Sequence, residues 1–114
     1  MGPMFDGPEP IYLQIAQMIR AQVLAGELAE EEQVMSTTQF ATTFRINPAT
    51  AAKAFAGLVD EGVLYKRRGL GMFVAPGARE RLLAEHRARL FHEVLDPALA
   101  QADLLDIPAA EIVE

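Results

Sequence analysis

Three consecutive cations, Lys66, Arg67 and Arg68, stand directly before Gly69-Leu70-Gly71. Ammonium and guanidinium groups in a row suit the phosphates of a nucleic-acid backbone, and the glycines permit tight turning and close backbone approach to a partner. Charge on a hairpin also discourages edge-to-edge aggregation, but three cations beside a glycine tip favour an anionic partner. A second set precedes them. Ala49, Thr50, Lys53 and Ala56 lie on or beside one face of a helical register, small, polar and cationic, with no carboxylate from Gln33 through Val59. A slim basic face of this kind fits a major groove; the plainer reading is a solvated helix carrying one lysine.

Other chemistry finds less support. His86 and His92 are six positions apart and do not share a helix face at ligand spacing, so no metal or cofactor is expected. Glu30-Glu31-Glu32 reads as a solvated loop. Ser36 has no partnered histidine and no nucleophile-elbow motif around it. Gly69-Leu70-Gly71 lacks the lysine and following helix of a nucleotide-phosphate loop. No constellation supports an enzyme.

The elements that must position the cations can be read outward from them. Asn47 is a good helix cap, Pro48 fits the first helical position, and the alanine-rich run to Leu58 favours helix. Gly62 suits the left-handed end, and Ala51, Ala52, Phe55, Leu58 and Val59 are expected to point inward. Val63 to Arg67 and Met72 to Val74 read as two strands around a turn at residues 68–71. Upstream, Ser36 and Gln39 have capping-box spacing for a short helix to about Phe44, with Phe40, Ala41 and Phe44 inward. Before that, Pro10 opens a helix to about Ala25 whose apolar stripe is Ile11, Ile15, Met18, Ile19 and Val23, with Gly26 ending it. Residues 27–33 read as an acidic loop. Helix, helix-turn-helix and hairpin in this order make a winged helix-turn-helix arrangement, α+β and mainly α.

The expected organisation is a loose leader over residues 1–9, a winged domain over 10–77 and a helical tail over 78–114. In the tail a helix from Ala78 to about Leu95 carries Leu82, Leu83, His86, Leu90, Phe91 and Val94 on one apolar side. Asp96-Pro97 reads as a cap followed by a proline, starting a new helix or a kink that continues through Leu99, and Asp106-Ile107-Pro108 restarts a last short turn. The tail is too short for a separate effector domain yet richer in apolar side chains than one winged helix can bury. A homodimerisation arm using Leu83, Leu90, Phe91, Val94 and Leu99 is the economical reading; folding back on its own domain is the alternative.

At 114 residues with 51% apolar side chains, the chain is long enough for one well-packed domain. It has no cysteine and no apolar run long enough to span a bilayer, and its first residues lack the basic segment and long apolar stretch expected of a secretion signal, which fits a reducing cytoplasm. The net charge of −6 looks wrong for a nucleic-acid binder, but it is unevenly spread. Residues 1–32 carry one arginine against six carboxylates, a net of −5. Residues 33–79 carry six cations against two carboxylates, a net of +4, and residues 80–114 three arginines against eight, again −5. Screening makes the local charge decide contact more than the total.

Taken together, PIYLQIAQMIRAQVLAGEL, INPATAAKAF and GLVDEGVLYKRRGLGMFVA resemble the DNA-binding domain of the GntR family of bacterial transcription regulators, over roughly Pro10 to Pro76. PIYLQIA with INPATAAKAF has the look of its YtrA subfamily. The resemblance implies a regulator, usually a homodimer on a palindromic operator, with double-stranded DNA as partner. By motif alignment its DNA-contacting positions fall on Ser36, Thr38, Asn47, Pro48, Ala49, Thr50, Lys53, Arg67, Arg68, Gly69 and Gly71. The chain departs from the family in one place. Where the family commonly has Pro-Ser-x-Arg, Met35-Ser36-Thr37-Thr38 stands, so Thr38 replaces a DNA-contacting arginine. The resemblance leaves room for a small-molecule effector between tail and DNA-binding domain, which no residue identifies. A winged-helix protein-interaction module with weak or no DNA binding stays open beside the regulator reading.

Overall fold

The structure is a computed structural model and describes residues 5–112. The chain forms two compact units that divide between Glu80 and Arg81. In the first, α1 (Ile11–Leu24), α2 (Thr37–Phe44) and α3 (Pro48–Asp60) precede an antiparallel hairpin of β1 (Leu64–Arg67) and β2 (Gly71–Val74). This is the winged helix-turn-helix expected from the sequence.

Local chemistry sets each boundary. Ser36 Oγ accepts the Gln39 N–H at 3.0 Å while the Gln39 side chain accepts the Ser36 N–H at 3.2 Å, a complete capping box on α2. Asn47 Oδ1 accepts the Ala49 N–H at 2.8 Å, and Pro48 follows at the first position of α3. Arg45 joins the two helices in the left-handed conformation, φ 54°. At the end of α1 Gly26 does the same, φ 80°, and the next two N–H groups return to the Gln22 carbonyl.

The core lies where α3 packs against α1 and α2. Ile15, Ala16, Ile19 and Val23 of α1 meet Phe40 and Ala41 of α2 and Ala51, Ala54, Phe55 and Leu58 of α3, all buried. Phe40 and Phe55 are in edge contact at 5.5 Å between centroids. The inward face of α3 differs from expectation. Ala52 and Val59 are exposed and Ala54 is buried. The helix is clasped by neighbours on two sides, which rotates its centre of burial toward Ala51 and Ala54 and leaves Ala52 and Val59 beyond the contact arc. Ile11, at the start of α1, is likewise exposed, and Phe44 is half-buried.

The acidic segment read as a loop is partly sheet. Gln33 bridges Phe73, the Glu31 N–H donates to Val74 O at 2.8 Å, the Val34 N–H to Met72 O at 2.9 Å, and the Val74 N–H to Glu32 O at 2.9 Å. Residues 31–34 therefore form a short third edge on β2, which leaves the wing with only one free side. Of residues 1–9, read as a loose leader, 1–4 lie outside the described residues, and 5–9 are engaged. Gln14 bonds Gly7 and Glu9 backbone groups, and the Phe5 ring lies 5.9 Å from that of Phe44.

In the second unit α4 (Ala78–Leu90, starting before the boundary) runs into a π-helical turn (Phe91–Leu95), then α5 (Asp96–Leu104) and α6 (Ala109–Ile112). Asp96 is not a cap: α5 does begin there, but Leu95 precedes it in helical conformation with no side-chain bond, so the helical backbone continues through the π turn. The Asp96 N–H reaches back five residues to Phe91 O. That widened turn absorbs Pro97, which has no N–H to donate and whose ring would clash with the carbonyl four residues earlier.

Candidate nucleic-acid interface

Helix α3 presents two stripes at complementary spacing. Ala51, Ala54, Phe55 and Leu58 face the core, while Ala49, Ala52, Lys53 and Ala56 face outward. The outer stripe consists of methyl groups around one ammonium, so nothing bulky stands between the helix and a groove wall. Asn47, Pro48 and Ala49 at its start are exposed and Thr50 is half-buried. Lys53 is anchored: its Nζ lies 4.0 Å from the centroid of the Tyr12 ring on α1.

The α3 chain passes through Gly62, φ 78°, directly into β1, so the second cationic group is tied to the first by the fold's backbone. Register pairs Leu64 with Val74, Tyr65 with Phe73, Lys66 with Met72 and Arg67 with Gly71. Leu64 and Val74 are buried, which fixes the hairpin's inner face, whereas Lys66, Arg67, Arg68 and Gly69 are exposed. The Arg67 guanidinium lies 5.0 Å from the Phe73 ring centroid, an attraction that orients it without neutralising it. The turn closes with the Leu70 N–H donating to Arg67 O at 2.9 Å, and Gly69 sits at φ 76°.

Three residues the sequence reading left unassigned build this site. Gln33 Nε2 donates to Leu70 O at 2.8 Å, strapping the wing tip to the segment before α2. That strap passes over Gly71, where an added Cβ would stand 2.7 Å from Gln33 Nε2. Gly71 is thus a glycine for two reasons, its φ of 125° and this close crossing. Tyr65 donates its hydroxyl hydrogen to Glu31. This bond, then desolvation and the nearby Glu31 charge, raise the phenol above its ordinary pKa, with Arg67 opposing. Tyr12 is the third. Its only sequence signal is an aromatic ring in the first turn of α1 outside the apolar stripe.

The glutamates expected to be merely solvated are acceptors. Glu30 Oε1 takes the Gly77 N–H at 2.9 Å, Glu31 takes Tyr65, and Glu32 takes the Ala29 N–H at 3.0 Å. The Glu31 bond ties this segment to β1 and the Glu30 bond ties it to the chain just after β2. Arg20, the single cation of residues 1–32, grips Glu61 in two-pronged fashion at 2.9 and 2.6 Å, tying α1 to the end of α3. At α2, Ser36 has its oxygen engaged as a cap but keeps a hydroxyl hydrogen to donate, and Thr38 is exposed and uncharged. In the second unit Leu83 is half-buried, while Leu90, Phe91, Val94 and Leu99 are exposed at 48%, 51%, 54% and 41%. His86 and His92 are also exposed, and His92 Nδ1 lies 3.7 Å from Asp96 Oδ2.

Comparison with known proteins places this geometry. A family model described as bacterial regulatory proteins, gntR family, matches residues 11–74. The chain is 30% identical over 114 residues to the HTH-type transcriptional regulator YhcF of Bacillus subtilis, covering all of this chain and 93% of that one. It is 28% identical over 105 residues to the repressor YtrA of the same organism, covering 92% and 80%. It is 37% identical over 78 residues to the repressor NagR, covering 68% of this chain but only 32% of that longer protein. Among solved structures, a transcriptional regulator from Oenococcus oeni superposes with a TM-score of 0.77 at 26% identity, covering 94% and 88%. The AraR DBD in complex with operator ORX1 superposes at 0.58 with 28% identity, covering 63% and 93%. With its winged fold, its capped α3 and a family match across the whole of both, this chain belongs to the gntR family of bacterial regulatory proteins and is a transcription regulator rather than an enzyme.

Proposed function

We propose that this chain is a sequence-specific DNA-binding repressor that acts as a homodimer on a palindromic operator. One observation carries the reading. The outer stripe of α3 is exposed, carboxylate-free and slim, and it leads straight into a wing tip whose three cations are exposed. In this reading α3 enters the major groove, with Asn47, Pro48, Ala49, Thr50 and Lys53 nearest the base edges. Arg67 and Arg68 take phosphates or the adjacent minor groove, with Gly69 and Gly71 allowing close approach. Ser36 and Thr38 at the start of α2 donate to phosphate. The similarity to NagR and YtrA, both named repressors, and to the AraR DBD bound to its operator supports it.

Residues 10–77 would then be the DNA-binding domain and residues 78–114 the dimerisation arm. Leu90, Phe91, Val94 and Leu99 expose apolar surface that a second copy would cover. Two copies would present their α3 helices to half-sites about one turn, roughly 34 Å, apart.

Electrophoretic shift on the region upstream of the protein's own gene, with sedimentation in parallel, tests the reading. The expected result is a retarded band that competitor DNA of unrelated sequence does not abolish, formed by a dimer. Phe91→Glu with Val94→Glu should yield a folded monomer with weakened binding. A folded dimer giving no shift at low salt would refute the proposal and favour a protein-interaction module, the role that Thr38 in place of arginine would suit.

A further inference from the structure

Lys53 is the sole charged residue on the outer stripe of α3 before Asp60, and its surroundings there are methyl groups. Nothing on its own helix can orient a flexible four-carbon stem. Among the described residues, no carboxylate pairs with it. Its ammonium instead lies 4.0 Å from the centroid of the half-buried Tyr12 ring, which belongs to the first turn of α1. Two residues of different helices, 41 positions apart, thus meet at the edge of the surface assigned to DNA.

We propose that Tyr12 is a positioning residue for DNA recognition: its ring is the platform that holds the Lys53 ammonium beside the outer stripe of α3, pre-ordered for the groove. The physical logic favours a ring over a carboxylate. An ion pair would cancel the charge that a phosphate or a guanine edge must attract, and would occupy the ammonium's donors. A π-face attracts the cation through its quadrupole, leaves the net charge intact and leaves the N–H bonds on the far side free to donate. The stem is ordered before DNA arrives, so less conformational freedom is lost on binding. The platform itself is steady because α1 is locked to α3 by Ile15, Ile19 and the Arg20–Glu61 pair. The phenol oxygen has no part in this; the ring does the holding.

The inference rests on the DNA-binding reading, and a double-mutant cycle separates the two. The probe is the tightest duplex selected by the wild-type chain from a randomised DNA pool. Tyr12→Leu should weaken it by about two- to fivefold, the equivalent of the roughly 0.5–1 kcal/mol of an exposed cation–ring pair. Tyr12→Phe should bind like wild type, because the ring is kept. Lys53→Ala should weaken binding more, and Tyr12→Leu should add nothing on top of it. In the DNA-free protein the Lys53 ε-methylene protons should show an upfield ring-current shift that survives Tyr12→Phe and vanishes in Tyr12→Leu. That last readout does not depend on DNA or on a small loss of fold stability. Additive losses, a Phe variant as weak as the Leu variant, tighter binding on removing the ring, or an unshifted Lys53 would each overturn the proposal. A wild-type chain that selects no duplex but keeps the ring-current shift would instead refute the DNA-binding reading, and the positioning role with it.

Discussion

The two wing arginines should contribute alike to the salt dependence of binding but differently to stability. Both are exposed, but Arg67 lies over the Phe73 ring, whereas Arg68 sits in the turn beside Gly69 with no carboxylate paired to it among the described residues. Each phosphate contact contributes about 0.9 to the slope of log affinity against log salt. Between about 50 and 200 mM salt, one contact therefore accounts for roughly a 3.5-fold share of the affinity lost. Arg68→Ala should flatten the slope by that one contact and leave the melting temperature unchanged. Arg67→Ala should flatten it equally and also destabilise the wing by about 0.5–1 kcal/mol, because the cation–ring attraction is lost with the charge. The double variant should lose roughly 12-fold of the wild type's salt-driven change over the same range. Fluorescence anisotropy of labelled operator across a salt series measures the slopes, and thermal denaturation without DNA measures the stability. If the slopes of the single and double variants coincide with wild type while the fold is intact, the wing does not touch phosphate and the argument from its charge is wrong.

Two further outcomes follow from the site's construction. Gly71→Ala should destabilise the chain by about 1–3 kcal/mol, since a side chain at φ 125° is strained and its Cβ would displace Gln33 from Leu70. Gly69→Ala, at φ 76° with open space around it, should cost less, and equal melting temperatures for the two variants would sink the strap argument. The Tyr65 phenol should titrate above its ordinary value of about 10 in ultraviolet absorbance, and Tyr65→Phe should remove that late step. Because the folded-state pKa is the higher one, this contact's contribution to stability is complete below about pH 10 and falls as pH rises through the folded value. A Tyr65 that ionises at or below the ordinary value would contradict the Glu31 bond.

Much of the winged unit was legible in the residues because its signals are local. Ser36 with Gln39, Asn47 with Pro48, and Gly26 and Gly62 state their roles in backbone chemistry that hardly depends on the rest of the chain. The cationic hairpin and its flanking strands were visible for the same reason. The run of exposed cations at the tip and the apolar residues at the base of the hairpin are grouped in short stretches of sequence. What was misjudged was the rotation of α3, with Ala52 and Val59 taken for core, and the fate of the acidic segment. Both are decided by neighbours distant in the chain.

The tertiary structure alone decided who holds the site in place. Gln33 reaches Leu70 across 37 positions, Glu31 reaches Tyr65 across 34, and Tyr12 reaches Lys53 across 41. No periodicity or cap rule encodes such pairs, because each depends on the angle at which α1, β1 and the segment before α2 come together. The sequence by itself determined which residues could form helices, where those helices stop, and where positive charge gathers. It did not determine which side chains would meet, since a contact between distant residues exists only once packing has set the distance between their backbones.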